Sequence, residues 1–310
     1  MTITSRIDNI TGMTEEYSTP LPPAPKSVKI EITGKCNFRC HFCAHSQRLR
    51  TTNEMNFDFF KRVVKEMREA GVEELGVFYL GESFLCKWLP DAIRFAKEEC
   101  GYPYVFLTTN GSLATPAKVV DCFEAGLDSL KFSLNYADEE QFKEVADVKG
   151  SLFYKIKENL IQAYHARNFG HYDCGLYASY IEYDGEQGEK INEYLDSVRP
   201  YVDELYALPL YNQAALVEND EWSFVQGNRG RLDNLRDPLP CWSIFTEGHI
   251  SFDGRLSACC FDHDNRFNMG DLNEVSFMEA WHSNKFQDLR KKHLEKDVTG
   301  TICEECVIYD

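Results

Sequence analysis

Residues 34–46 read GKCNFRCHFCAHS and place Cys36, Cys40 and Cys43 within eight positions. Three thiols this close in a C-x3-C-x2-C pattern form a ligand set rather than core packing. They are too few to close a four-ligand site and one too many for a simple redox pair. Thiolates hold iron–sulfur clusters. A four-iron cubane held by three thiolates keeps one iron free to chelate a small molecule. Zinc is the alternative: structural zinc takes four ligands, and His41 or His45 can supply the fourth. A second group of thiols, Cys241, Cys259, Cys260, Cys303 and Cys306, lies toward the C-terminus.

The elements that must position the first loop are alternating strands and helices. VKIEIT (28–33) alternates as a strand and runs straight into the cysteines. Further strands are expected at 74–82, 104–111, 129–135, 174–183 and 204–211, with helical apolar spacing between them. Six such units imply parallel strands joined by right-handed crossovers, either an open doubly wound sheet or a partial barrel. In both, the loop after the first strand lies at the carboxyl ends of the strands, where sites are built. Past residue 216 the rhythm changes. HISFDGRLSACCF (249–261) reads as a hairpin turning at Asp253-Gly254, followed by a helix over roughly 275–294. Residues 1–25, with PLPPAP at 20–25, read as an extended N-terminal arm.

The chain has 310 residues and a net charge of −17, which argues against a nucleic-acid or anionic membrane partner. It shows no signal-peptide core and no span of transmembrane length, so a cytoplasmic location is expected. Twelve cysteines in a reducing compartment point to metal binding rather than disulfides. Cys86, Cys100, Cys122 and Cys174 fall on helix or strand patterns and read as core.

The first loop, with Phe42 before its last cysteine, resembles the radical S-adenosylmethionine (SAM) superfamily. Three later stretches agree in order: Leu80-Gly81-Glu82 at the end of the second strand, TTNGS (108–112) after the third, and Ser133 on the fourth. The resemblance covers roughly residues 26–215 and implies a partial (β/α)6 TIM-like barrel. It further implies a [4Fe–4S] cluster on Cys36, Cys40 and Cys43, and SAM contacts from Leu80, Gly81, Glu82, Thr108, Asn110 and Ser133. Leu80 stands where the family has a glycine; main chain makes that contact. The implied chemistry is one-electron cleavage of SAM to a 5′-deoxyadenosyl radical, with an external donor such as flavodoxin or ferredoxin. Residues 216–310 resemble the SPASM/twitch extension, in the short form of 2-deoxy-scyllo-inosamine dehydrogenases. That implies one auxiliary [4Fe–4S] cluster on Cys241, Cys259, Cys303 and Cys306; a structural zinc on the same thiolates stays open. Cys260 is either a buried small residue or a hydrogen donor of the kind radical epimerases use.

Peptide-modifying relatives often carry an extra N-terminal domain, and some 25 residues before the first strand are too few for one. A polar small molecule is therefore expected: a sugar, cyclitol or nucleotide-linked compound. If Ser133 faces inward, so do Lys131 and Asn135, because strand side chains repeat every two residues. Glu31, Thr33, Glu182, Asn212 and Gln213 are further polar candidates. They either contact a polyhydroxylated ligand or pair internally, for instance Lys131 with Glu31. The expected activity is a dehydrogenase-type oxidation with the auxiliary cluster as electron acceptor. The alternatives are redox-neutral epimerisation through Cys260, modification of a ribosomal peptide, and a non-catalytic zinc protein.

Overall fold

A computed structural model describes residues 2–182, 186–217 and 239–306. Its strands are β1 (Ser27–Ile30), β2 (Glu74–Gly76), β3 (Tyr104–Thr109), β4 (Ser129–Ser133), β5 (Gly175–Ile181), β6 (Glu204–Leu208), β7 (Glu247–Ile250), β8 (Arg255–Ser257) and β9 (Asn268–Asp271). They form one sheet in the order β6-β5-β4-β3-β2-β1-β7-β8-β9, parallel from β6 to β7 and antiparallel beyond. The helices are α1 (Ile3–Thr11), α2 (Phe57–Glu69), α3 (Leu89–Arg94), α4 (Pro116–Glu124), α5 (Glu139–Ala146), α6 (Ser151–Gly170), α7 (Glu186–Val198), α8 (Ser243–Thr246), α9 (Phe277–Trp281) and α10 (Asn284–Leu294). The partial TIM-like barrel expected from the sequence is the fold observed.

Two-residue periodicity sorts the strands into an outer and an inner face. Val28, Ile30, Val105, Leu107, Leu130 and Phe132 are fully buried in the core that the strands share with the helices. The other parity, including Lys29, Phe106, Thr108 and Lys131, lines an interior cavity. Helix α2 shows how the sequence builds the outer layer. Asn56 caps it by accepting from the Phe59 N–H at 2.9 Å, and Phe60, Val63, Val64 and Met67 are its buried stripe. The chain leaves it through Gly71 at φ +108°, a left-handed position that glycine adopts without strain.

Three features differ from the sequence-based expectation. The N-terminal arm contains α1, which lies across the N-terminal ends of the strands. Thr4 bonds Glu204, Arg6 pairs with Glu74, and the Arg6 guanidinium sits 3.2 Å above the Tyr104 ring. The C-terminal hairpin is not a detached appendage: β7 pairs in parallel with β1, Ser27 opposite Glu247 and Ile30 opposite Ile250. The single helix expected over 275–294 is two. A capping box between Ser276 and Glu279 starts α9, and Ser283 caps α10 by accepting from Phe286 N–H. The Asp253-Gly254 turn is present, with Gly254 at φ +87°.

The proline-rich stretch staples the two ends of the chain together. The Trp281 indole donates to the Pro23 carbonyl at 2.9 Å, and Arg290 donates to the carbonyls of Pro20, Trp281 and Ile244.

Candidate functional site

The loop carrying Cys36, Cys40 and Cys43 leaves the carboxyl end of β1 and is tied down by main chain. Arg39 and His41 N–H groups donate to the carbonyls of Ala146 and Val145 at the end of α5, at 3.1 and 2.8 Å. Cys43 N–H donates to the Cys40 carbonyl at 3.0 Å, and Gln213 accepts from Ala44 N–H at 2.9 Å. Phe38 anchors the loop in the core, edge-on to Phe142. Cys40 Sγ lies 3.2 Å from the Tyr136 hydroxyl.

These thiols suit a cluster. Burial, then the Glu82 carboxylate, pushes Cys36 up to about 12; burial and its neighbours Cys43 and Cys36 push Cys40 up. Burial raises Cys43 to about 11. Cys43 and Cys36 are thus close enough to Cys40, and Cys43 to Cys36, to disfavour charge there, an arrangement that bound metal relieves. Among the described residues no three His, Cys, Asp or Glu side chains are gathered as one ion requires. A cubane instead spreads its thiolates over separate irons. His41 is exposed and His45 Nε2 is bonded to the Gly34 carbonyl at 2.9 Å.

Leu80, Gly81 and Glu82 lie beyond β2, which ends at Gly76, in a loop that crosses the cysteine loop. A Cβ on Gly81 would stand 2.2 Å from the Thr33 carbonyl oxygen and 2.8 Å from that of Lys35, so only glycine fits. Glu82 N–H donates to Lys35 O at 2.8 Å. The Glu82 carboxylate is buried and accepts from Thr109 Oγ1 at 2.9 Å and from the N–H groups of Asn110 and Phe84 at 2.8 and 3.2 Å. It therefore clasps the loops after β2 and β3. Asn110 bonds Asn37 beside Cys36 at 2.9 Å, and Thr108 lines the interior. Ser133 ends β4 on the same inward face as Lys131.

The second cysteine set is also gathered. Cys241 is pushed far up by burial and by Cys303, Cys306 and Cys260; Cys259 is raised by its bond to Cys260, by burial and by Cys306. Burial and Cys306 raise Cys303 to about 12. The hairpin thus returns Cys259 and Cys260 to Cys241, and the terminal pair joins them. Cys260 also lines the barrel cavity.

That interior cavity, about 220 Å³, runs between α1 and the carboxyl ends of the strands. Its walls carry matched charges. Lys29 Nζ lies 2.8 Å from Glu247, whose other oxygen accepts from His249 Nε2 at 2.9 Å. Burial alone would raise Glu247, but Lys29 and His249 hold it down to about 2. Burial keeps His249 neutral against the pull of Glu247. Burial and Lys29 press Lys131 down to about 8. A second cavity of about 310 Å³ lies beside Cys36, bounded by His45, Arg50 and His263.

The structure separates the substrate candidates. Lys131 faces the cavity. Glu31 is fully buried and spent on Arg50 and on the Phe252 N–H at 3.0 Å, so it does not pair with Lys131. Asn135 is buried, Glu182 is exposed at the end of β5, and Asn212 has a buried Oδ1 with no hydrogen-bond partner among the described residues. The sequence reading missed Arg50, Asn37, Asn159, Lys29, Glu247 and His249. Lys29 shares the parity of Glu31, which was a usable signal. Asn159, buried on α6 and donating to the Gly111 carbonyl at 2.8 Å, left none.

The Radical SAM superfamily profile matches residues 30–175, and that of the SPASM iron–sulfur cluster-binding domain matches residues 241–307. The GTP 3′,8-cyclase of Chlorobaculum tepidum is 31% identical over 119 residues, 38% of this chain and 35% of the cyclase. The matched stretch thus spans about a third of that relative's length. Among solved structures, BtrN in complex with AdoMet and 2-DOIA superposes with a TM-score of 0.57 at 18% identity over 87% of both chains. SuiB of Streptococcus suis bound to its precursor peptide SuiA superposes with a TM-score of 0.66 at 12% identity, over 86% of this chain and 67% of SuiB. At such identities the likeness establishes the fold alone. The profiles, the fold and the two cysteine sets agree: the chain belongs to the radical SAM superfamily, carries a SPASM domain at residues 241–307, and uses SAM, a [4Fe–4S] cluster and auxiliary iron–sulfur clusters.

Proposed function

We propose that the protein is a radical SAM oxidoreductase that removes two electrons from a hydroxyl-bearing carbon of a polar small molecule held in the barrel interior. When bound, SAM and its cluster supply the hydrogen-abstracting radical, and an auxiliary cluster on Cys241, Cys259, Cys303 and Cys306 takes the second electron. The chain's own residues bind, orient and exclude water. Cys36, Cys40 and Cys43 hold the first cluster; the loops around Leu80, Gly81, Glu82, Thr108, Asn110 and Ser133 hold SAM. Helix α1 closes the floor of the cavity, and Lys131, Asn135 and Asn212 are candidate substrate contacts. The hydroxyl proton passes to the Glu247–His249 pair, of which Glu247 lines the cavity; neutral His249, buried behind it, has an Nδ1 with no hydrogen-bond partner among the described residues. An external one-electron donor and a reducing, cytoplasmic setting suit a chain in which none of the twelve cysteines is disulfide-bonded.

One observation carries this reading: the auxiliary cysteine set abuts the cavity, because Cys260 belongs to both. The same observation favours a second reading, in which Cys260 returns a hydrogen atom and the net reaction is epimerisation. Anaerobic turnover with SAM and a reductant decides between them. Oxidation yields a ketone and survives Cys260→Ala; epimerisation incorporates solvent deuterium into the product and stops in that variant. Absence of 5′-deoxyadenosine from the wild-type protein would refute both.

A further inference from the structure

We propose that Lys131 selects the substrate by charge, taking a carboxylate or phosphate group of a small molecule that enters the barrel interior. The proposal rests on the interior being the substrate cavity, as argued above. The charged side chains lining that cavity are matched in pairs, with one left over. Arg6 pairs with Glu74, and Lys29 with Glu247. Lys131 makes no ion pair among the described residues. Its Nζ donates to the neutral Tyr206 hydroxyl at 3.3 Å and lies 5.7 Å from the centre of that ring.

A partly buried cation with no ion-pair partner of its own is costly, and a charge-assisted bond to an anionic ligand group offsets the cost. A neutral polyol leaves it in place. Lys131 keeps most of its charge at neutral pH, since burial and Lys29 lower it and the more distant Glu247 carboxylate, already paired with Lys29, raises it, leaving it at about 8. Position agrees with this role. Lys131 stands opposite Thr108 on β3 and one inward step below Ser133. An anion seated there directs the rest of the molecule toward the strand ends, where Cys36 and Asn110 lie. The cavity, about 220 Å³, lies below the roughly 300–1,000 Å³ of typical ligand pockets, which suits a compact small molecule.

The test titrates anaerobically reconstituted holoenzyme with SAM against glucose, glucuronate, glucose 6-phosphate and an acidic pentapeptide, read by calorimetry. At least one charged sugar is expected to bind tenfold or more tightly than glucose, and the pair separates carboxylate from phosphate recognition. Lys131→Met should abolish that preference and Lys131→Arg should retain it, with iron content confirming that each variant folds. Equal or absent binding of all three sugars overturns the proposal. So does a preference that persists in Lys131→Met, or tighter binding of the pentapeptide than of either charged sugar. Formation of 5′-deoxyadenosine by the wild type, read separately, tests the underlying activity; its failure leaves the binding comparison standing on its own.

Discussion

At the scale of single residues, steric and electrostatic demands are local enough to be tested one at a time. Gly81 meets two backbone carbonyls that cannot move aside as a side-chain tip can. Gly81→Ala should therefore displace the loop and weaken SAM binding by tenfold or more in equilibrium dialysis, with the iron content unchanged. Lys131 is tested through pH. Its folded-state value lies below that of an unfolded lysine, so the unfolded chain binds more protons between about pH 8 and the ordinary lysine range. The destabilisation is full below pH 8 and is relieved as pH rises. Lys131→Met should thus be more stable than wild type at pH 7, by at most about 3 kcal/mol given that the lysine faces a cavity. The advantage should shrink between pH 8 and 10 in denaturant titrations. Glu247→Gln removes the proton route proposed at the cavity wall and should slow turnover by roughly 10²-fold or more.

Elements place these residues by lending them fixed faces. Strand β4 offers Lys131 and Ser133 to the interior because strand side chains alternate, and its other face is locked into the core by Leu130 and Phe132. Helix α1 acts as the floor. Its Arg6–Glu74 contact is largely buried, with side-chain exposures of 20% and 16%, so removing one partner strands the other charge. Arg6→Ala should lower stability on the order of 3 kcal/mol, seen as a fall in thermal midpoint. Adding Glu74→Gln should recover part of the loss. A midpoint unchanged in Arg6→Ala would show that α1 does not hold the floor.

For the whole molecule, the second cysteine group reaches the interior cavity through Cys260, and the first borders the other cavity through Cys36. Anaerobic preparations should hold about eight irons per chain if each set carries a cubane. Cys36→Ala should remove about half and abolish SAM cleavage; Cys303→Ala should remove the other half and leave SAM cleavage in place. Loss of nearly all the iron from either variant would mean that the sets are not independent.

How much of this was legible beforehand depended on the range of the signal. Cysteine spacing is a local property, and C-x3-C-x2-C after a strand was enough to point to the superfamily; the alternation of strand and helix patterns, local too, gave the parallel α/β order. Turn chemistry is local too, so Asp253-Gly254 was found where expected. Charge pairing across the barrel is not local. Glu31 with Arg50 and Lys29 with Glu247 depend on strand register and on β7 joining β1, contacts between residues up to some two hundred positions apart. Helix α1 was hidden for the same reason: nine residues are too short a stretch to be helical alone and become a helix when they have a barrel floor to pack on. The sequence by itself thus determined which chemistry the chain carries, because ligand sets are written in adjacent residues. Only the tertiary structure decided which cation in the cavity has no ion pair among the described residues, because the balance of buried charge is settled by the contacts of the folded chain.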